Sequence, residues 1–159
     1  MGVADRSRDH VEAVLSALES TYDGFPVNQT SVTVPPAQFE RVDRRCREGT
    51  ARIDVHVRNE RGEVVVVDAD RRPMVPSVAV DPQESVADRA RDGVRTQTGV
   101  EFAVDGLLEV TIAGVRDERA PDESQIYRLI ALLGGQHVSG DPAPRGRWTA
   151  DAPTPTLLR

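Results

Sequence analysis

The sequence predicts one β-rich α/β domain with two helices ahead of its first long strand. Three patterns support this prediction. Apolar residues recur at helical spacing near the N-terminus, alternating and β-branched runs begin at residue 51, and a helical stretch interrupts the strands near residue 90. The 159 residues suffice for one domain with a hydrophobic core. We divide the chain into an N-terminal helical extension, residues 1–50, and a main domain, residues 51–159.

The extension contains the first two predicted helices. The first has an apolar face at i, i+3, i+4 and i+7: Val11, Val14, Leu15 and Leu18. Residues 22–36 are then typical of a loop, with a short strand at 30–34. The prolines at 35 and 36 suit the start of a second helix, and Gly49 is placed to end it. Its inward residues are expected to be Phe39, Val42 and Cys46.

Most of the main domain is predicted to be strand. Residues 51–69 predict a β-hairpin, because ARIDVHVR alternates, NERG has turn chemistry and EVVVVDA is a buried β-branched run. A short strand is expected at 75–80. Two further strands are expected at 106–116 and 125–135, joined by a polar loop, and the proline-rich tail from residue 140 is predicted to be irregular.

The third predicted helix lies in ESVADRARDGVRTQTGVEF, residues 84–102. Asp81 can cap its start, Pro82 suits the first helical position and Glu84 stands where a capping box needs a carboxylate. Gly99 is placed to end the helix. The inward face is expected to consist of Val86, Ala87, Ala90 and Val94.

This helix and the order of the elements around it resemble the Nudix family. The family's signature is Gly, five residues, Glu, seven residues, then Arg-Glu-apolar-any-Glu-Glu-any-Gly-apolar. Here Glu84 is followed by seven residues and DGVRTQTGV, which puts Val94, Gly99 and Val100 at the apolar, glycine and apolar positions. The resemblance implies a Nudix-like α/β/α sandwich with a mixed β-sheet. The helical extension resembles that of some haloarchaeal Nudix proteins.

The residues that the resemblance would assign to metal binding are different in this chain. In the family, the helix glutamates hold Mg²⁺ or Mn²⁺, which bridges a diphosphate and the attacking water. The Arg-Glu pair is here Asp92 and Gly93, the Glu-Glu pair is Thr96 and Gln97, and the opening glycine is Val78. Diphosphate cleavage depends on the charge of a carboxylate-held metal. We therefore predict a degenerate catalytic box, with no assigned metal and no assigned catalytic residue.

A rearranged metal site is the alternative for the same helix. Glu84, Asp88 and Asp92 lie at i, i+4 and i+8 and could hold a divalent ion from one helix face. Pairing of Asp88 and Asp92 with Arg91 and Arg95 explains the pattern more simply. Other acids that could replace the missing ligands are Glu109, Asp117, Glu118, Asp122 and Glu123.

Three functions are compatible with these residues. The favoured one is a Nudix-fold protein without standard diphosphate hydrolysis, which binds a nucleotide-like ligand or serves as a regulatory module. The second is an active hydrolase that uses Mg²⁺ or Mn²⁺ at displaced ligands to cleave a nucleoside diphosphate linked to another group. The third is a structural module that forms a homodimer.

The composition limits the partners and the location that we expect for this protein. The net charge is −6, and all 20 basic residues are arginines, which predicts no nucleic-acid binding and indicates either a halophilic archaeon or compositional drift. No apolar run is long enough to span a membrane, so we expect a cytoplasmic protein. Cys46 is the only cysteine, and the three histidines have no metal-ligand spacing: His10, His56 and His137.

Overall fold

A computed structural model describes residues 2–49, 51–69 and 71–154. Within these ranges the elements, in chain order, are α1 (Val3–Thr21), β1 (Val27–Val34), α2 (Pro36–Glu48), β2 (Ala51–Arg58), β3 (Val64–Ala69), β4 (Arg72–Met74), β5 (Ser77–Val80), α3 (Val86–Thr98), β6 (Glu101–Asp117), β7 (Ile126–Ser139) and β8 (Gly146–Thr149). Among these helices, none is long and apolar enough to cross a membrane.

The strands form one mixed sheet, which confirms the predicted α/β architecture. Its order is β1-β6-β7-β2-β3-β4, while β5 pairs with β2 and β8 pairs with β3. β1 runs parallel to β6, and β2 runs parallel to β7. The other pairings are antiparallel.

Helices cover both faces of this sheet because successive strand residues point to opposite sides. Leu129 of β7 is buried in one apolar cluster with Val14 of α1 and Val94 of α3. Ile126, which points the other way, is buried in a second cluster with Val42 of α2. The molecule is therefore an α/β/α sandwich, with α1 and α3 on one face and α2 on the other.

The predicted hairpin at 51–69 exists only near its turn. β2 and β3 are paired at Arg58 and Val64, whereas the first half of β2, residues 51–54, pairs with β5. The turn itself is held by Asn59, whose Oδ1 accepts the backbone N–H groups of Arg61 and Glu63 at 3.0 and 2.9 Å. One edge of β2 is thus shared between two partners, which the local pattern could not indicate.

Several strands differ from the prediction in length or existence. β1 begins at Val27 and joins the sheet, so the extension supplies a strand where only residues 30–34 were expected. β4 and β8 were not predicted, because each is short and contains a residue disfavoured in strands, Pro73 or Gly146. The prediction of an irregular tail is wrong at β8, while residues 155–159 of that tail lie outside the described residues.

Candidate functional site

The start of α3 lies four residues later than the predicted cap. Ser85 is the N-cap, and its Oγ accepts the backbone N–H of Asp88 at 3.3 Å. Asp81 instead closes the preceding turn, since its Oδ1 accepts the N–H groups of Gln83 and Glu84 at 2.8 and 3.1 Å. Glu84 returns a bond by accepting the N–H of Asp81 at 3.1 Å. The reciprocal bonding of a capping box is present, but Pro82 belongs to this turn and not to the helix.

The carboxylates of α3 are paired with arginines on the same surface. Asp88 pairs with Arg91, and Asp92 pairs with Arg95 at 2.8 Å, which are the i,i+3 pairs expected from the sequence. Glu84 lies 3.5 Å from Arg89. In the described part of the chain, no group of three His, Cys, Asp or Glu side chains could hold a metal ion.

Gly93 lies where α3 crosses β5. A Cβ atom added to Gly93 would overlap Cγ1 of Val78, a buried residue of β5. The missing side chain therefore allows close helix–strand packing, which accounts for a glycine inside a helix despite a cost of about 1 kcal/mol relative to alanine. Position 93 has no side chain, and the facing position 78 has a β-branched one.

Neighbouring residues of α3 also contact β5. Gln97 donates its side-chain N–H to the backbone oxygen of Ser77 at 2.9 Å, and Arg89 donates to the oxygen of Ala79 at 3.4 Å. These bonds occupy carbonyl groups of β5, which pairs with β2 among the described strands. Thr96 is exposed, and its backbone oxygen accepts a 2.7 Å bond from Arg145.

Val94, Gly99 and Val100 anchor α3 to the sheet and end the helix. Val94 and Val100 are fully buried in the cluster that joins α3 to the sheet. Gly99 is the C-cap, with φ of 79°, a left-handed conformation that favours glycine, and its N–H bonds to the oxygen of Arg95. The predicted end of the helix at Gly99 is confirmed.

The acids considered as replacement ligands are held elsewhere or are exposed. Asp117, at the end of β6, is bound by Arg119 at 2.7 Å, and these hydrogen bonds lower the pKa of Asp117. Glu109 lies within β6 and is half-buried. The other three are exposed residues of the loop that follows β6: Glu118, Asp122 and Glu123.

Two cavities differ in their capacity for a ligand. A cavity between α3 and β5 is about 300 Å³, and its lining includes Gly93, Thr96 and Gln97. The other, which we call the α1 cavity, is about 590 Å³ and lies between α1, β1 and the adjoining strands. Its lining includes Gln29, Gln125 and Tyr127, and the guanidinium carbon of Arg8 lies 5.2 Å from the centre of the Tyr127 ring. Sequence reasoning missed this cavity because its residues come from four separate elements.

Sequence reasoning also missed a buried group of charges on the sheet face that carries α2. Arg52 and Asp54 of β2 form an ion pair with an N–O distance of 3.1 Å and one hydrogen bond of 3.2 Å, and the two side chains are 5% and 2% exposed. Arg128 of β7 is buried close by and faces Arg52. The alternation in ARIDVHVR had suggested a solvent-exposed polar face. The sequence did contain an indication of the ion pair: Arg52 and Asp54 carry opposite charges two residues apart, and such side chains can pair when that face is covered.

Two histidines are disfavoured in their charged form. Burial lowers the pKa of His10, and the negative charge of Asp81 opposes this shift in part. Burial also lowers the pKa of His56, and the positive charge of Arg58 adds to this, while Asp105 opposes it. Below the ordinary imidazole value of about 6.5, the unfolded chain therefore binds more protons than the native protein.

We expect the thermal unfolding midpoint to fall as the pH is lowered from about 7.5 to about 5.5, because stability is lost where the unfolded chain takes up protons first. Differential scanning fluorimetry across this range measures the slope. Replacing His10 and His56 together by glutamine should flatten it, whereas His137→Gln keeps both half-buried imidazoles and serves as the control. An equal slope in the double variant would contradict this assignment.

Comparisons with known proteins give matches only among solved structures. No family model and no curated protein matches the chain. A NUDIX hydrolase from Nitrosomonas europaea matches at 19% identity over 62% of this chain and 70% of that chain, with a TM-score of 0.47. A putative oxidoreductase from Sinorhizobium meliloti matches at 16% identity and TM-score 0.46, over 72% of this chain, which spans only 35% of that one. A MutT protein from Bacillus halodurans matches at 14% identity over 62% and 67%, with a TM-score of 0.47.

Proposed function

We propose that this protein is a Nudix-like domain that does not hydrolyse diphosphates by the usual metal-dependent route and instead binds a nucleotide-like small molecule. The observation that carries the proposal is the contact between Val78 and Gly93. Val78 occupies the volume that a side chain at position 93 would need, so the position cannot contribute a carboxylate to a metal site.

The neighbouring positions support the same conclusion. Mg²⁺ is normally held by carboxylates together with substrate phosphates. Gln97 offers an amide that is engaged by the backbone of Ser77, and Thr96 offers a single neutral hydroxyl. Asp92, the one acid of these four positions, is paired with Arg95. The chemistry of the donor set does not fit a divalent cation.

The α1 cavity is the place that we propose for the ligand. Its volume of about 590 Å³ falls in the usual range for small-molecule sites, about 300–1,000 Å³. Tyr127 and the Arg8 guanidinium beside it supply planar groups that suit a nucleobase or a phosphate. The amides of Gln29 and Gln125 supply both donors and acceptors.

The first arm of the test measures hydrolysis. With Mg²⁺ or Mn²⁺ and a panel of nucleoside diphosphate derivatives, in low and high salt, we expect no turnover above a protein-free blank. Metal-dependent turnover that is lost in Glu84→Gln would establish the alternative, an active hydrolase with displaced ligands.

The second arm measures binding by thermal shift with the same ligands. Ligand at about 100 times its Kd should raise the stability by about 2.7 kcal/mol, and Gln125→Ala should weaken this effect. Gln136→Ala is the matched control, because Gln136 is a glutamine of β7 that bonds to Asp105 and does not line the cavity. A midpoint that no ligand moves would favour a purely structural module.

A further inference from the structure

One edge of the sheet is formed by β1, and nothing guards this edge. In the described part of the chain, β1 pairs with β6 and has no second strand beside it. All eight of its residues pair in an unbroken register, so no bulge turns the edge away from a further strand. The β4 edge is different, because β4 has only three residues, and Arg72 and Pro73 among them discourage further pairing.

The β1 edge also lies in the longest uncharged stretch of the sequence. Residues 24–39 contain no Asp, Glu, Lys or Arg, whereas 29% of the whole chain is charged, so β1 lacks the charges that usually keep edge strands apart. Valine and threonine, which favour strands, make up most of β1. Two copies of a chain with a net charge of −6 repel each other overall, and an uncharged edge is where they can approach most closely.

The backbone groups that face the free edge follow from the pairing with β6. The oxygen of Pro26 accepts the N–H of Val110 at 3.0 Å. Eight residues later, the oxygen of Val34 accepts the N–H of Glu118, also at 3.0 Å. Successive residues of a strand turn their N–H and C=O groups to opposite edges, so the even-numbered residues of β1 bond to β6. The outward groups belong to the odd-numbered residues: Val27, Gln29, Ser31 and Thr33.

We propose that this protein forms a homodimer in which β1 pairs antiparallel with β1 of a second copy. The register places Thr30 directly opposite Thr30 of the second copy. Gln29 then lies opposite Ser31 of the other strand. Val27 lies opposite Thr33 in the same way, so all outward N–H and C=O groups of both strands are paired. A shift by two residues would leave some of these groups without partners, and no register brings two like charges together.

This register also covers apolar surface and brings the second copy next to the α1 cavity. The side chain of Val27, which is 42% exposed, is covered by the facing strand. Gln29 and Ser31 line the α1 cavity, so Gln29 of the second copy lies beside Ser31 at the rim of that cavity. The pairing uses the free β1 edge of both copies and therefore closes at two chains. It does not depend on a ligand in the cavity.

Sedimentation equilibrium over a range of protein concentrations tests this proposal, at low salt, where exposed charges are least screened. We expect a reversible equilibrium with a limiting mass twice that of one chain. Thr30→Asp and Thr30→Lys should each raise the dimer Kd about tenfold or more, because each places like charges directly opposite one another. An equimolar mixture of the two variants should dimerise again, since opposite charges then face each other.

Thr96→Asp is the matched control, because it makes the same change at an exposed position of α3, away from β1. It should leave the dimer Kd nearly unchanged. A native protein that remains monomeric at every concentration would overturn the proposal. Thr30 variants that dimerise as well as the native protein, or a mixture of the two that stays monomeric, would also show that the strands do not pair in this way.

A second measurement needs no variant. Amide hydrogen exchange, followed by NMR at high and low protein concentration, reports on individual backbone N–H groups. The outward amides of Gln29, Ser31 and Thr33 should exchange several-fold more slowly in the dimer. The amides of Thr30 and Val32 bond to β6 in both states and should change much less. If the outward amides exchange at the same rate while the mass doubles, the interface lies elsewhere and the proposal is wrong.

Discussion

Replacing Asp54 by asparagine should lower the free energy of unfolding by about 3 kcal/mol or more. Asp54 is 1% exposed, accepts one hydrogen bond from Arg52 and forms an ion pair with it, and Arg128 lies close to both. Asparagine keeps the size of the side chain but removes the negative charge. The two buried guanidinium groups of Arg52 and Arg128 would then lose the negative charge of Asp54 that lies beside them.

Chemical denaturation of the native protein and the variant measures this loss. Asp92→Asn is the matched control, because it removes the same charge from an exposed pair with Arg95 and should cost no more than about 1 kcal/mol. Replacing Arg52 and Asp54 together by methionine and leucine should recover part of the loss, since both buried charges then disappear. If Asp54→Asn and Asp92→Asn cost the same, the buried group does not have the role described.

Gly93→Ala should destabilise the protein by about 1–3 kcal/mol, the usual cost of overpacking a core. Helix propensity alone predicts the opposite sign, a gain of about 1 kcal/mol. The clash decides the outcome because the added Cβ meets Val78, whose β-branched side chain has few alternative rotamers. The same clash predicts that Gly93→Glu alone cannot restore a metal ligand.

A double-mutant cycle separates this contact from other effects. Val78→Ala alone should cost stability by leaving a cavity, whereas Val78→Ala combined with Gly93→Ala should be more stable than the two single losses predict. Thr96→Ala, at an exposed position of the same helix, is the control and should change stability by less than about 0.5 kcal/mol. Strictly additive losses at positions 78 and 93 would rule out the contact.

The elements of this fold with local signals could be predicted from the sequence. The apolar spacing of α1, the alternation of β2 and the glycine that ends α3 each depend on residues close together in the chain. The pairing of Asp88 with Arg91 is equally local. These features were confirmed because short-range geometry alone determines them.

The features that define the candidate sites depend on contacts distant in sequence. The overlap of Val78 with position 93 requires α3 to cross β5 at that point, and no pattern within either segment indicates the crossing. The alternating pattern suggested that Arg52 and Asp54 are solvent-exposed, whereas both are buried in the folded protein. The predicted N-cap was Asp81 and the observed one is Ser85, because both residues can accept the same kind of hydrogen bond.

The parallel pairing of β1 with β6 has a consequence for synthesis on the ribosome. Val27 pairs with Val110, so β1 cannot form this pairing until roughly 80 further residues have been translated. At about 5–20 residues per second, that delay lasts several seconds. During this time β6 is not yet available to pair with β1. We therefore expect a chaperone that shields nascent chains to bind the segment of α1 and β1.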